Sequence, residues 1–174
     1  MRKVVLGIGL LLACGIAIAI AGPYSEVSAT QDTTQSTEAA IKWMSWEEAM
    51  AASKEAPKKI FIDVYTDWCG WCKRMDASTF TDEAVIKYMN ENFYAVKFNA
   101  EGKDDKYYKG RKLVYRADAG RRGVHELAIV LLNGRLGYPS FVYLDEQQEP
   151  LKVSPGYKTA EVLLSELKSV ASVQ

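Results

Sequence analysis

Apolar residues fall along this chain in three kinds of run. Residues 4–20 carry no charge and follow Arg2 and Lys3. Residues 23–38 hold almost no large apolar side chain and are rich in Ser, Thr and Gln, the composition of a flexible spacer. From about Ala40 the pattern changes to short segments of helical or strand period, punctuated by Gly, Pro, Asn and Asp, and a folded domain is expected to begin there.

Within that domain Trp46, Ala49, Met50 and Ser53 recur at helical spacing behind Ser45 and Glu48, a capping-box pair, so a short helix should end before Pro57. Residues 60–65 are apolar on both faces except for Asp63 and predict a buried strand. A helix through Lys73 and Asp76 follows, then one capped at Thr81-Asp82-Glu83 and running to Met89, then an alternating strand over 93–98. Two strands joined through helix predict a right-handed parallel crossover. Residues 107–115 predict a hairpin turning at Lys109-Gly110, and 123–132 a helix ending at Asn133-Gly134. A strand at 140–144, a turn at 145–148, an edge strand at 151–154 and an amphipathic helix over about 159–173, with Leu163, Leu167 and Val170 on one face, complete an α/β pattern.

The apolar N-terminal run reaches Ala19-Ile20-Ala21, a small-residue cleavage pattern, so residues 1–21 are expected to act as an export signal. The run is also long enough for an uncleaved membrane anchor, and Leu11-Leu12-Ala13-Cys14 resembles a lipobox in which Cys14 would be acylated. All three readings put the rest of the chain outside the cytoplasm, as a linker over 22–39 and a domain over 40–174. At 174 residues, 48% apolar and 25% charged, the chain suits one core. Its 22 basic and 22 acidic side chains leave no overall field that would draw it to nucleic acid. The basic stretch from Lys103 to Arg122 reads as a solvated face.

Only Cys69 and Cys72 remain in the folded domain, spaced i, i+3 in Asp67-Trp68-Cys69-Gly70-Trp71-Cys72-Lys73. Directly after a strand and opening a helix, Cys69 would lie by unpaired backbone N–H groups and the positive end of the helix dipole, which favour a thiolate. Cys72, one turn on and more buried, could resolve a mixed disulfide. Cys69 is therefore the expected nucleophile and Cys72 the expected resolving thiol. Half a zinc site and an inert disulfide are the competing readings. The first lacks ligands beyond His125, and the second closes too small a loop to constrain the unfolded chain much. His125 is expected on the surface of a helix, and Trp43 and Trp46 in packing of the core or first helix.

The run from Phe61 to Lys73 resembles the active-site strand and helix of thioredoxins, and the likeness extends from about Ala40 to the C-terminus. It is closest to extracytoplasmic thioredoxin-like proteins and to the periplasmic C-terminal domain of the membrane disulfide interchange reductase. These share Tyr-x-Asp-Trp-Cys, then Cys-Lys, then a Thr-Phe pair, here Thr79-Phe80. The resemblance implies a thioredoxin fold: a mixed central sheet of four to five strands flanked by helices, with a hairpin-plus-helix insert over about 100–138 rimming the active site and shaping partner choice.

The resemblance also implies roles. Asp63 would exchange a proton with the resolving thiol, Pro139 would be the cis-proline facing the cysteines, and Tyr138 would offer its backbone to a substrate strand. Trp68 would pack beside the cysteines and, with Gly70 and Trp71, line the substrate side, while Gly156 would precede the last helix. Trp71 stands where most thioredoxins have proline, and the lack of a cation between the cysteines leans toward a reducing potential. The implied activity is extracytoplasmic thiol:disulfide exchange: a reductase or interchange protein fed by a membrane electron donor, with no cofactor or metal beyond its cysteines. An isomerase or oxidase, and a non-catalytic binding module, are the alternatives.

Overall fold

The computed structural model describes residues 40–173; the expected signal or anchor over 1–21, with Cys14, and the linker over 22–39 lie outside them. The elements run β1 (Trp43–Met44), α1 (Trp46–Glu55), β2 (Lys59–Tyr65), α2 (Gly70–Ala77), a 3-10 turn at Thr79–Thr81, α3 (Glu83–Asn92) and β3 (Phe93–Asn99). The insert holds β4 (Lys106–Tyr108), β5 (Arg111–Leu113), β6 (Tyr115–Arg116), β7 (Val124–His125) and α4 (Glu126–Leu131). Finally come β8 (Ser140–Leu144), β9 (Pro150–Pro155) and α5 (Ala160–Ala171). No helix among the described residues is long and apolar enough to cross a membrane.

The helices begin where polar side chains can satisfy their first N–H groups. Ser45 and Glu48 form the reciprocal capping box of α1, Asp82 accepts from the N–H groups of Ala84 and Val85 at the start of α3, and Thr159 accepts from Val162 at the start of α5. The five-stranded sheet has the order β1-β3-β2-β8-β9. β2 and β3 are parallel, as the crossover through α2 and α3 predicts, while β8 and β9 run antiparallel to their neighbours. β1, two residues pairing in parallel with Ala95 and Val96, is too short for any periodicity to announce.

Strand alternation divides the core between the two faces of the sheet. Ile60, Ile62 and Val64 of β2 join Val96, Phe98, Val142 and Leu144 under α1. On the other face Phe61 joins Phe93, Ala95, Phe141 and Tyr143 beneath α2, α3 and α5, among them Met75, Met89 and Leu163. The Phe61 ring lies 5.5 Å from Phe141 and 5.4 Å from Tyr143, centroid to centroid.

The insert does more than form a rim. Tyr108, Leu113, Val124, Leu127 and Leu131 complete the apolar cluster on the α1 face, so without this segment that side of the sheet would be open to water. Its hairpin turns at Lys109 and Gly110, both with positive φ, in the left-handed geometry a two-residue loop requires. Val124 and His125, expected as helix, instead pair with Arg116 and Tyr115 as a second ribbon, and α4 starts only after His125.

His125 is thereby corrected from a surface residue to a buried one, fully shielded from solvent. Its Nδ1 caps α4 by accepting from Leu127 N–H at 3.0 Å, its Nε2 is 3.0 Å from the Asp104 carbonyl, and its ring stands edge-on to Phe98. Burial pulls its pKa below the ordinary histidine value.

Gly123 closes the ribbon at φ 78°, and a Cβ there would stand 2.0 Å from the Tyr115 hydroxyl. Gly123→Ala should therefore cost about 1–2 kcal/mol through the left-handed backbone and the displaced tyrosine. The loss should show as faster amide hydrogen exchange across 115–125 with the sheet unchanged; unaltered exchange there would contradict it.

Candidate active site

β2 ends at Tyr65 and the chain turns through Thr66, whose carbonyl accepts the Cys69 N–H at 3.1 Å. That turn delivers Cys69 to the N-cap of α2. Its sulfur accepts the Cys72 backbone N–H at 3.1 Å, so the helix aims an otherwise unsatisfied donor at it. The two sulfurs are bonded at 2.08 Å with Cα atoms 5.3 Å apart, the oxidised state of the pair. Both cysteines are nearly buried, Cys69 4% exposed and Cys72 2%. Gly70 separates them without steric need, since an added Cβ would meet nothing within 4 Å.

The flanking tryptophans are instead open to solvent, Trp68 53% and Trp71 54% exposed. Trp68 leans edge-on against Tyr138 at 6.0 Å, donates its indole N–H to Glu101 at 2.8 Å, and carries the Arg122 guanidinium over its ring at 5.7 Å. Trp71 lies 5.2 Å from Tyr157, and Arg74 sits over both rings. Trp68 is thus held by the insert and Trp71 by the loop before α5.

The Tyr138–Pro139 peptide bond is cis, and Tyr138 precedes Ser140, the first residue of β8 to pair with β2 and β9. Gly156, with φ 90°, donates its N–H to the Pro139 carbonyl at 2.8 Å and so ties the loop bearing Tyr157 to the proline.

Asp63 lies on the face of β2 that carries Phe61, the face that α2 covers, and only 1% of it reaches solvent. Lys97, its register partner on β3, brings Nζ to 3.0 Å of Oδ2 and also pairs with Asp76 of α2. No group among the described residues donates a well-directed hydrogen bond to either Asp63 oxygen. Burial accordingly raises the Asp63 pKa to about 6 in spite of the lysine charge. The Lys97 pKa is held above the ordinary value: burial alone would lower it, but the carboxylates of Asp63 and Asp76 outweigh that. Its ammonium also lies about 5 Å from the rings of Trp43, Tyr65 and Phe80.

Lys97 is the residue that sequence reasoning missed. Its signal was present, because Phe93, Ala95 and Lys97 share one face of an alternating strand and a lysine there needs a buried partner. Glu101, Arg122 and Tyr157 had no comparable signal; they reach the site only through the fold. Among the described residues no group of three or more His, Cys, Asp or Glu side chains is gathered as a metal would require.

The structure is similar to a DsbH oxidoreductase, with a TM-score of 0.58 at 20% identity over 83% of this chain and 94% of that one. It is also similar to a thioredoxin from Thermus thermophilus, with a TM-score of 0.56 at 18% identity over 76% and 88% of the two chains. These likenesses establish the thioredoxin fold. In sequence the chain is 26% identical over 124 residues to the thiol:disulfide interchange protein DsbD of Ralstonia nicotianae, 70% of this chain and 17% of that protein. It is 30% identical over 112 residues to protein B0495.5 of Caenorhabditis elegans, 64% of this chain and 13% of that protein. The chain thus spans under a fifth of the length of either relative. Residues 28–166 match the Thioredox_DsbH family, described as a protein of unknown function, DUF255, and the chain belongs to that family, built on a thioredoxin fold.

Proposed function

We propose that this chain is a protein disulfide reductase or interchange protein working outside the cytoplasm. The observation that carries the reading is the cysteine pair itself, with Cys69 Sγ at the N-cap of α2 under the Cys72 N–H and Cys72 within bonding distance. The uncharged run over 4–20 behind Arg2 and Lys3 supports export, and the likeness to the thiol:disulfide interchange protein DsbD supports exchange chemistry at the cysteine pair.

In the reduced protein the backbone N–H and the helix dipole favour negative charge on Cys69 sulfur. That thiolate attacks one sulfur of a substrate disulfide, forming a mixed disulfide and expelling the other substrate sulfur as a thiolate. Cys72 then gives its proton to the Asp63 carboxylate and attacks Cys69 sulfur, which releases the second substrate thiolate and closes the Cys69–Cys72 disulfide. The substrate gains two electrons and the protein loses two, so a dithiol donor must restore it. Trp68, Gly70, Trp71, Tyr138 and Pro139 form the substrate-facing wall, with the Tyr138 backbone pairing in β fashion.

Two measurements test this. The reduced protein should reduce insulin catalytically, and Cys72→Ser should accumulate mixed disulfides through Cys69. Absence of both would sink the reading. Equilibration with glutathione should place the potential close to the about −270 mV of thioredoxin, while a value above about −200 mV would favour the isomerase or oxidase alternative.

A further inference from the structure

Exposed aromatic surface and uncompensated cations coincide on the face around Cys69. Trp68, Trp71 and Tyr157 are each at least a third exposed, and each lies within 6 Å of a guanidinium carbon, Arg122 for Trp68 and Arg74 for the other two. Neither arginine forms an ion pair among the described residues, whereas Arg116 is taken by both Asp118 and Glu126. A guanidinium lying on a ring keeps its N–H edge for an acceptor, and a carboxylate fits that fork. The carboxylates on this face are already engaged by side chains of the domain, Glu101 by the Trp68 indole and Asp67 by Asn99.

The whole chain has as many basic as acidic residues, so these arginines are a local arrangement and not part of a general basic excess. Cys69 itself is nearly buried, so a protruding segment suits the delivery of a substrate sulfur to it.

We infer, resting on the reductase reading above, that this protein selects disulfides carried on extended protein segments with acidic residues beside the reacting cysteine. Arg74 and Arg122 are the specificity-determining residues, held by rings that include the two tryptophans next to the cysteines, Trp71 beneath Arg74 and Trp68 beneath Arg122. The Glu101 contact fixes the Trp68 ring and so acts as a positioning interaction for Arg122.

The test uses the reduced full chain and three synthetic peptide disulfides that differ only in flanking residues, Glu, Gln or Lys. At low ionic strength the Glu peptide should be reduced with kcat/KM about tenfold or more above the Lys peptide. That preference should shrink toward equality near 1 M salt, where the Debye length is ~3 Å. In the doubly substituted Arg74→Gln, Arg122→Gln protein the Glu-to-Lys ratio should fall to about two or less; the ratio is insensitive to any general loss of activity. Reduction of all three peptides at equal rates, or a preference that survives the double substitution, would overturn this inference while leaving the reductase reading intact. Failure to reduce even the Gln peptide would overturn both.

Discussion

Cys69→Ala should lower turnover of a protein disulfide by about a thousandfold or more, since the attacking thiolate has no substitute in the described domain. Cys72→Ala should behave differently. It keeps the thiol at the N-cap, where Sγ accepts the residue-72 backbone N–H, and that donor survives the substitution. One equivalent of substrate should therefore be attacked at near the normal rate, after which the mixed disulfide persists and turnover stops. Stopped-flow measurement of the first turnover, against steady-state reduction, separates the two variants. If Cys69→Ala retains a tenth of the wild-type rate, or if Cys72→Ala shows no first-turnover burst, the assignment of attacking and resolving thiols is wrong. The asymmetry follows from the helix. Only the residue at the N-cap faces the free N–H groups, whereas Cys72 has already entered the first turn.

Asp63→Asn should make the protein more stable at pH 8 and less active. The folded-state pKa of Asp63 is raised to about 6, above the ordinary carboxylate value, because burial disfavours its charge more than Lys97 supports it. A raised carboxylate pKa means that the folded state holds the proton more tightly than the unfolded chain. Its stabilising contribution is complete below about pH 4 and is lost as the pH rises through about 6. The rise from the ordinary carboxylate value to about 6 corresponds to about 3 kcal/mol between those limits. Urea unfolding at pH 4, 6 and 8 should show the wild type weakening over this window, while the asparagine variant lacks that slope. Lys97 keeps Asp76 as a partner in the variant, so its charge is not orphaned. Resolution by Cys72 should slow about tenfold or more without its proton acceptor. An unchanged pH slope in the variant would show that Asp63 is not the group that titrates.

The second result bears on why an ionisable group stands in the middle of an otherwise apolar strand. Replacing it by a neutral residue of the same shape should help the fold at neutral pH, so its presence points to chemistry. The pairing with Lys97 tempers the cost of burial without removing it. The Gly123→Ala and peptide-selectivity experiments address the other half of the site. The ribbon that Gly123 closes also carries Arg122, whose backbone carbonyl accepts the Tyr115 hydroxyl at 2.6 Å.

Much of the molecule was legible in one dimension. The apolar run of β2, the two-residue alternation of β3, the caps at Ser45 and Asp82, and the Lys109-Gly110 and Asn133-Gly134 turn signals each reflect forces acting within a few residues, and each lies where the pattern put it. The i, i+3 cysteine spacing behind a strand likewise set the disulfide and its helix, because α-helical geometry brings those two positions together.

Other features depended on partners far away in sequence. A histidine after Val124 has no local reason to be buried; the sheet, Asp104 and Phe98 made His125 a cap inside the core. The insert looked like a rim because its own apolar residues are scattered, and only their convergence on Ile62 and Val142 shows them to be half of one core face. Lys97 meets Asp63 across 34 positions through strand register alone, and Arg122 reaches Trp68 through the folding of the insert. Local periodicity and capping thus determined where the elements and the cysteine pair lie, while long-range packing decided which charges surround that pair, since electrostatic neighbours are set by distance in space and not by order along the chain.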